Sequence, residues 1–540
     1  MRTAKKSVIT VLPLVSEMAL MPLTELCREQ QNPAVPYLFR RAIRHLMLAI
    51  LSLAAFGGVA LKAAVPSQVE GSWEKVACPF DASKALLPVT CGRLKVPENY
   101  DDPKGRSIEV AVMIVSPERK RDADNPVIFL SGGPGSPSLV HVETLVTTPA
   151  IREVVVDRDW VFFDQRGGGR SLPSLFCPPE PDSLKQVKTC RDRLIKEGVD
   201  LSQYNSARIS SDMEALRKAL GVKQWNVWGA SYGARLAITF ARYYPASTRT
   251  VLVDGPYLPE DQERVEDMRG AEVVINKIFN KCASDAVCAA KFPELRSRFM
   301  AALPKLRQQP MSVGEERIDD ERVVRFVVDS LYGGARPTFE TRVQRVLAYT
   351  DAAARGDGPG LLQIEKRMRE ETPAPPRMPD QGRWAVGQNL SIDCHEEKPF
   401  ESREEYAQAA AKSEFVRSLL GRQGGIWTFQ ACSLWPTGRA DPIENTRVYY
   451  DGPILAFTGE LDPTLSGLAG YKIEMLYANA RNVVFRNTGH VQFYIRTYNY
   501  SPEEYEYRRC ALELGRQFLA DPQRTLDTRC AETRKLRLVP

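Results

Sequence analysis

From residue 107 onward, short apolar runs alternate with stretches in which apolar residues recur every three or four positions. The apolar runs predict β-strands over residues 108–115, 126–130, 160–163, 225–228 and 251–254. The helical periodicity predicts helices over residues 211–220 and 235–244. This alternation indicates an α/β fold, with a mostly parallel sheet covered by helices on both faces. Functional groups should then lie beyond the carboxyl ends of the strands.

The first 64 residues have the layout of a secretory signal peptide. A cluster of arginines ending at Arg44 precedes an apolar run over residues 46–61, which stops at Lys62. The alternative is a membrane anchor, but sixteen residues are short for a bilayer span. We expect cleavage between Ala60 and Ala64, export to the periplasm or the medium, and no membrane span in the mature protein.

Composition and charge exclude one class of partner. With 43% apolar and 26% charged residues, the chain can bury a large core as a globular protein does. The net charge of +6 is concentrated in the leader, because residues 1–64 carry eight lysines and arginines against three glutamates. The rest of the chain is nearly neutral and has no basic stripe, so we expect no nucleic-acid partner.

Cysteine usage agrees with export. Ten of the eleven cysteines lie beyond the leader, and an even number fits five disulfides formed in an oxidising compartment. Their order suggests that neighbours in the sequence pair, although other connectivities remain open. A zinc site is the competing interpretation, but the chain has no C-x-x-C motif and only four histidines, so metal-ligand spacing is absent.

A nucleophile motif follows the predicted strand at residues 225–228. Gly229, Ser231 and Gly233 form the pattern G-x-S-x-G between this strand and the helix at 235–244. The glycines are needed because the turn is tight, and the helix N-terminus favours negative charge at the serine. We expect Ser231 to be a catalytic nucleophile.

A serine hydroxyl needs a base, and the choice of histidines is small. His45 falls in the leader, whereas His141 and His395 are expected to have structural roles. His490 follows the apolar run 483–485, so it should lie in a loop beyond a late strand. Its place after the serine also suits the chain order Ser, acid, His of α/β-hydrolases.

The third catalytic group should be a carboxylate that orients the imidazole. The run 454–457 predicts a strand, and Asp462 follows it, 28 residues before His490. Glu460 and Asp254 are the alternatives, although both are expected to make loop hydrogen bonds instead. This chemistry requires neither a metal ion nor an organic cofactor.

Backbone donors for an oxyanion are expected after the strand at 126–130. The segment Ser131-Gly-Gly-Pro-Gly135 lacks large side chains, so substrate could approach the chain closely. We expect the N–H of Gly133 and the N–H of Tyr232 to be the donors, with Gly132 as the adjacent alternative.

Three motifs give the chain a family resemblance: residues 132–135 (GGPG), residues 164–171 (DQRGGGRS) and residues 229–233 (GASYG). Together they resemble the proline iminopeptidase and tripeptidyl aminopeptidase family of serine peptidases, within the α/β-hydrolases. Residues 432–436 and 459–463 resemble the tripeptidyl aminopeptidase-like branch, which the export signal and cysteines also favour. One departure is Ser131, which stands where the family commonly has histidine.

The resemblance implies a domain layout. Residues 1–64 are the leader, 65–256 and 450–540 form the hydrolase core, and 257–449 are inserted as a helical cap. The cap contains helical patterns at 265–279, 323–332 and 341–354. A cap over the serine would exclude folded proteins and admit peptide ends. Asp164 and Arg166 are expected to brace the loop that faces the site.

The family implies hydrolysis from a free N-terminus, so we expect an exported serine aminopeptidase with a peptide substrate. A substrate ammonium entering a cap cavity needs a carboxylate, because an unpaired buried ion is costly. Six acidic residues early in the cap are candidates: Glu260, Asp261, Glu263, Glu266, Asp267 and Glu272. The alternatives are an esterase or amidase on small acyl substrates and a non-catalytic binding protein on the same fold.

Overall fold

The computed structural model describes most of the chain beyond the leader. Residues 70–540 are described, apart from 123–124, 179–180, 182, 333–336, 373–381, 421–425, 465–466 and 494–501. The predicted signal peptide lies outside the described residues.

A nine-stranded sheet forms the centre of the fold and confirms the predicted α/β class. Its strands are β1 Ser72–Val76, β2 Val89–Pro97, β3 Ser107–Val115, β4 Val127–Leu130, β5 Trp160–Phe163, β6 Trp225–Ala230, β7 Thr248–Asp254, β10 Ile454–Gly459 and β11 Ala480–Phe485. Their spatial order is β1-β2-β3-β5-β4-β6-β7-β10-β11. The strands from β5 to β11 in this order run parallel, whereas β1, β2 and β3 pair antiparallel with their neighbours.

Helices before and after the inserted region cover the sheet. They are α1 Leu139–Leu145, α2 Ile151–Val154, α3 Leu184–Lys196, α4 Ser206–Ala219 and α5 Tyr232–Tyr243, followed late in the chain by α16 Leu468–Leu476, α17 Pro502–Ala520 and α18 Arg529–Glu532. Both faces of the sheet are apolar: on β6, Val227 joins the core on one face and Trp228 the core on the other. Central strands buried on both faces are typical of parallel sheets.

A largely helical region is inserted between β7 and β10. Its helices are α6 Glu263–Ser284, α7 Ala286–Lys291, α8 Leu295–Gln308, α9 Asp320–Leu331, α10 Phe339–Arg355, α11 Gly358–Glu371, α12 Val386–Ile392, α13 Arg403–Lys412, α14 Glu414–Ser418 and α15 Ile426–Cys432. Most of them share an apolar core that includes Phe279, Phe299 and Leu347, whereas Val386 and Leu390 of α12 belong to a separate core. The region also contains a short hairpin, β8 Met311–Val313 with β9 Glu316–Ile318, which the purely helical prediction missed.

Five disulfides join neighbouring cysteines, as their order in the sequence suggested. The pairs are Cys78–Cys91, Cys177–Cys190, Cys282–Cys288, Cys394–Cys432 and Cys510–Cys530. Several disulfides in one chain are consistent with an extracellular protein. Within the described ranges, no helix is long and apolar enough to cross a membrane.

Candidate active site

Ser231 occupies a strained turn between β6 and α5. Its φ of 57° and ψ of −125° are unusual for a residue with a side chain. The turn is closely packed, because a Cβ on Gly229 would overlap the Gly233 carbonyl and a Cβ on Gly233 would overlap the carbonyl of Leu130. The sequence therefore needs glycine at both positions, and the turn leaves the Ser231 side chain half-buried.

His490 and Asp462 are hydrogen-bonded to each other beyond the ends of β11 and β10. The Nδ1 of His490 lies 2.8 Å from the Asp462 carboxylate, and both side chains are buried. Burial opposes protonation of the ring, but the Asp462 carboxylate outweighs it, so the pKa of His490 is raised above 6.5. With a proton on Nδ1 shared with Asp462, the neutral ring keeps Nε2 as its acceptor.

Thr464 contacts both residues of this pair, although the sequence analysis did not identify it. Its hydroxyl and its backbone N–H donate to the second oxygen of Asp462 at 2.7 and 2.9 Å. The same hydroxyl lies 3.1 Å from Nδ1 of His490. These contacts fix the orientation of the carboxylate, and the only sequence signal for them is that Thr464 lies two residues after the acid.

Strand β7 brings His490 to the same edge of the sheet as Ser231. The N–H of Ser231 donates to the carbonyl of Asp254 at 2.8 Å. A Cβ on the next residue, Gly255, would lie 2.9 Å from Cε1 of His490, so the imidazole packs directly on this turn. Within the described part of the chain, no hydrogen bond joins the Ser231 hydroxyl to the imidazole; such bonds often tighten only when substrate binds.

The two alternative acids make loop contacts. The oxygens of Asp254 accept the N–H groups of Gln492 and Phe493 at 2.8 and 2.7 Å, and burial raises its pKa to about 7. Glu460 accepts the N–H of Asn487 and pairs with a lysine of α6 at 2.9 Å. Neither carboxylate is hydrogen-bonded to the imidazole.

The two other described histidines have structural surroundings. His141 is buried in α1, and Nδ1 of His395 lies 2.9 Å from the carbonyl of Thr437.

The glycine-rich loop after β4 lies against the serine. A Cβ on Gly132 would lie 2.7 Å from the Cβ of Ser231. Gly133 has a φ of +120°, which favours glycine. On the other side of Ser231, Tyr232 is the first residue of α5, where backbone N–H groups have no acceptor within the helix. Gly132, the alternative donor, therefore lies against Ser231, Gly133 is the next residue of the loop, and Tyr232 directly follows the serine.

The DQRGGGRS motif, residues 164–171, is hydrogen-bonded to this loop and to the residues that follow it. Asp164 accepts the N–H groups of Ser138 and Leu139 at 2.6 and 3.0 Å, just after the glycine loop, and burial raises its pKa to about 6. Gln165 donates to the carbonyl of Ser131 at 3.0 Å, a contact that the sequence analysis did not predict. Arg166 is fully buried.

The guanidinium of Arg166 forms an ion pair with Asp212 at 2.6 Å. It also donates to backbone carbonyls of Glu98 and Gln203, each at 2.8 Å. These contacts tie the loop that carries Arg166 to α4 and to the residue that follows β2.

A cavity of about 520 Å³ adjoins the Asp462–His490 pair. It is lined by Arg264, Asp267, Met268, Ala271, Arg325, Val328, Asp329, Tyr332, Leu419, Trp427, Thr428 and Pro463. The ring of Tyr332 meets the imidazole of His490 edge to face, with centroids 5.8 Å apart. Pro463 directly follows Asp462. Most of the wall is apolar, with two arginines and two aspartates among the polar groups.

Of the five predicted cap carboxylates whose side chains the structure describes, one lines this cavity, namely Asp267. Asp261 and Glu266 lie 2.7 and 3.7 Å from the ammonium group of Lys472. Glu260 and Glu272 are not in its wall, and the side chain of Glu263 lies outside the described residues. Asp329 of α9 is a second carboxylate in the wall. The sequence analysis missed it because its helix pattern carries no chemical signal.

Comparison with known proteins assigns the fold. A family model described as alpha/beta hydrolase fold matches residues 125–281. The putative hydrolase YuaR of Escherichia coli K12 is 24% identical over 398 residues, which cover 68% of this chain and 75% of that protein. The chain therefore has the α/β-hydrolase fold.

Several relatives are named as peptidases. The tripeptidyl aminopeptidase of Streptomyces coelicolor is 27% identical over 223 residues, covering 37% of this chain and 41% of that protein. The serine protease Hip1 of Mycobacterium tuberculosis is 26% identical over 225 residues, covering 37% and 42%. The chain thus matches about two fifths of the length of each named peptidase. These relatives confirm the resemblance predicted from the three motifs.

Among solved structures, a proline iminopeptidase of Mycobacterium smegmatis aligns over 80% of this chain and 100% of the iminopeptidase chain. Its sequence identity is 16% and its TM-score is 0.34.

Proposed function

We propose that the protein is an exported serine aminopeptidase that releases amino acids or short peptides from free N-termini through an acyl-enzyme. The observation that carries this proposal is the 2.8 Å hydrogen bond between Asp462 and His490, packed against the turn that holds Ser231. The peptidase names of the relatives support the substrate class.

In the proposed reaction, Ser231 Oγ attacks the carbonyl carbon of the scissile peptide bond while Nε2 of His490 takes the hydroxyl proton. Asp462 holds the ring in the required tautomer and stabilises its protonated form. The protonated ring then gives its proton to the departing amine, which leaves an ester on Ser231. Water, deprotonated by the same imidazole, hydrolyses that ester and restores the serine hydroxyl.

The N–H groups of Gly133 and Tyr232 are proposed to bind the oxyanion that forms at the attacked carbonyl. Tyr232 directly follows Ser231, and Gly133 follows Gly132, which packs against the serine. Donors fixed in advance stabilise a developing charge without reorganisation. The same two donors would serve a peptide or an ester, so they do not distinguish the two substrate classes.

The inserted region, residues 257–449, is proposed as the cap that makes the enzyme an exopeptidase. The cavity beside His490 takes most of its wall from α6, α9 and α15 of this region. We propose that Asp267 or Asp329 holds the substrate ammonium there. An ammonium in a mostly apolar cavity needs an opposite charge, since an unpaired buried ion is costly.

A pair of substrates tests this proposal. Hydrolysis of a peptide and of its N-acetylated form should differ by at least about tenfold in kcat/KM, because acetylation removes the charge that the cap carboxylate pairs with. Asp267→Asn or Asp329→Asn should remove most of that difference. The neighbouring Glu266→Gln is a matched control, since Glu266 lies beside Lys472 and outside the cavity wall.

The result also separates the proposal from its main alternative. Equal rates for the free and acetylated peptides would contradict the aminopeptidase and favour an esterase or amidase on small acyl substrates.

A further inference from the structure

A buried polar chain connects the residue after the nucleophile to the inserted region. The hydroxyl of Tyr232 lies 2.8 Å from Oγ of Ser206, at the start of α4. Ser206 in turn bonds Glu396 through its hydroxyl, at 2.7 Å, and through its backbone N–H. Glu396 also accepts from Arg235 of α5 at 2.8 Å. All four side chains are at most 1% exposed.

The direction of these bonds follows from the chemistry of the groups. An ionised carboxylate only accepts, so the single hydroxyl proton of Ser206 points to Glu396. The oxygen of Ser206 is then left to accept, and the Tyr232 hydroxyl must be the donor. Each hydroxyl proton in this series of hydrogen bonds therefore has one defined place. Through Ser206, a carboxylate of the inserted region fixes the hydroxyl end of the tyrosine ring.

Glu396 lies in an unusual piece of backbone. It belongs to a π-helical turn, Asp393–Glu397, that continues α12. The disulfide Cys394–Cys432 ties this turn to the end of α15, and Glu397 adds a second carboxylate 2.9 Å from Arg235. Removing these charges from water is costly and often gives no net stability. Such a cluster is better explained by the geometry that it imposes on α5 and Tyr232.

We propose that Glu396 is a positioning residue for the reaction: through Ser206 and Tyr232 it fixes the backbone N–H that binds the oxyanion. This inference rests on the proposed function, in which the Tyr232 N–H is one of two donors. Because that N–H belongs to the same residue as the anchored ring, a freed ring would let the first turn of α5 relax. The enzyme would then lose stabilisation of the oxyanion in the transition state, while substrate binding would stay nearly unchanged.

Variants along the chain test the proposal with a peptide and a small ester as substrates. Glu396→Gln, Ser206→Ala and Tyr232→Phe should each lower kcat about tenfold on both substrates, with KM within about twofold of the unmodified enzyme. Because the three residues act in series, the double variant Ser206→Ala with Tyr232→Phe should have a kcat no lower than that of the less active single variant.

Glu365→Gln is the matched control. Glu365 is a buried carboxylate that likewise accepts from a tyrosine hydroxyl (Tyr349, 2.7 Å) and an arginine (Arg322, 2.7 Å), but it lies wholly within the inserted region. This variant should keep kcat while losing stability. If Glu396→Gln does not fold, Tyr232→Phe decides, since it removes a single oxygen.

Two failures are distinguishable. A folded Tyr232→Phe or Glu396→Gln enzyme with kcat within twofold of the unmodified enzyme would overturn this inference, as would multiplicative losses in the double variant. Hydrolysis that persists in a folded Ser231→Ala variant would instead overturn the proposed function.

Discussion

His490 is the titrating group on which the proposed reaction depends. Only the neutral imidazole can take the serine proton, and Asp462 raises the pKa of that imidazole above 6.5 despite its burial. We therefore expect kcat/KM to rise with pH through a midpoint above 6.5. Asp462→Asn should lower that midpoint and reduce kcat by about 10³- to 10⁴-fold, because the ring loses its fixed tautomer.

A pH–rate profile of the two enzymes measures both effects. A midpoint that stays in place in Asp462→Asn would show that another group sets the pKa. Asp254 is the group to examine next, since its carboxylate also favours the charged imidazole.

Single residues differ in how far the sequence reveals them. Ser231 lies in a defined pattern, and His490 is one of four histidines. Thr464 and Asp329 could not be found in this way, because threonine and aspartate are common and their roles arise from side chains that meet only in the folded chain. A defined motif singled out the serine, and the small number of histidines singled out His490.

The end of strand β7 holds the loop that carries His490. The two carboxylate oxygens of Asp254 accept two successive backbone N–H groups of that loop. Asp254→Asn should place an amide NH₂ against one of these donors and leave it without an acceptor. We expect a loss of about 1–3 kcal/mol in the free energy of unfolding, measured by urea denaturation.

Activity in the same variant gives the second readout. A looser His490 loop should also lower kcat. Unchanged stability together with unchanged kcat would mean that the loop is held by other contacts.

Elements in the buried centre of the sheet were predicted well, and those at its margins were not. Residues 160–163 form β5 as predicted because every side chain is buried and apolar. Helix α4 begins at Ser206, five residues before the predicted start, because Asn205 caps it and its first residue is a buried serine rather than an apolar residue. Strand β1 is mostly exposed, so it lacks the alternation by which a strand is recognised.

The whole molecule is held by five disulfides that close loops in both the core and the inserted region. We expect no free thiol among the ten cysteines from Cys78 to Cys530. Thiol titration of the denatured, unreduced protein checks this directly. A count near ten would contradict both the pairing and the proposed export, because disulfides persist in oxidising compartments.

The cavity beside His490 shows why the complete site was beyond the reach of sequence reasoning. Its wall combines Asp267 of α6, Asp329 of α9 and Pro463 of the acid loop, which are far apart along the chain. Periodicity places each residue on an element but does not say which elements meet. The motifs indicated the fold and the proposed reacting groups, whereas the cavity forms only through the packing of the inserted helices.

Labelling of the nucleophile tests the central claim most directly. A fluorophosphonate probe reacts with an activated serine, and peptide mapping identifies the residue modified. We expect a single label on Ser231, and neither labelling nor peptide hydrolysis in Ser231→Ala. That variant should remain folded, since Gly229 and Gly233 shape the turn. Labelling or hydrolysis that persists in folded Ser231→Ala would contradict the account.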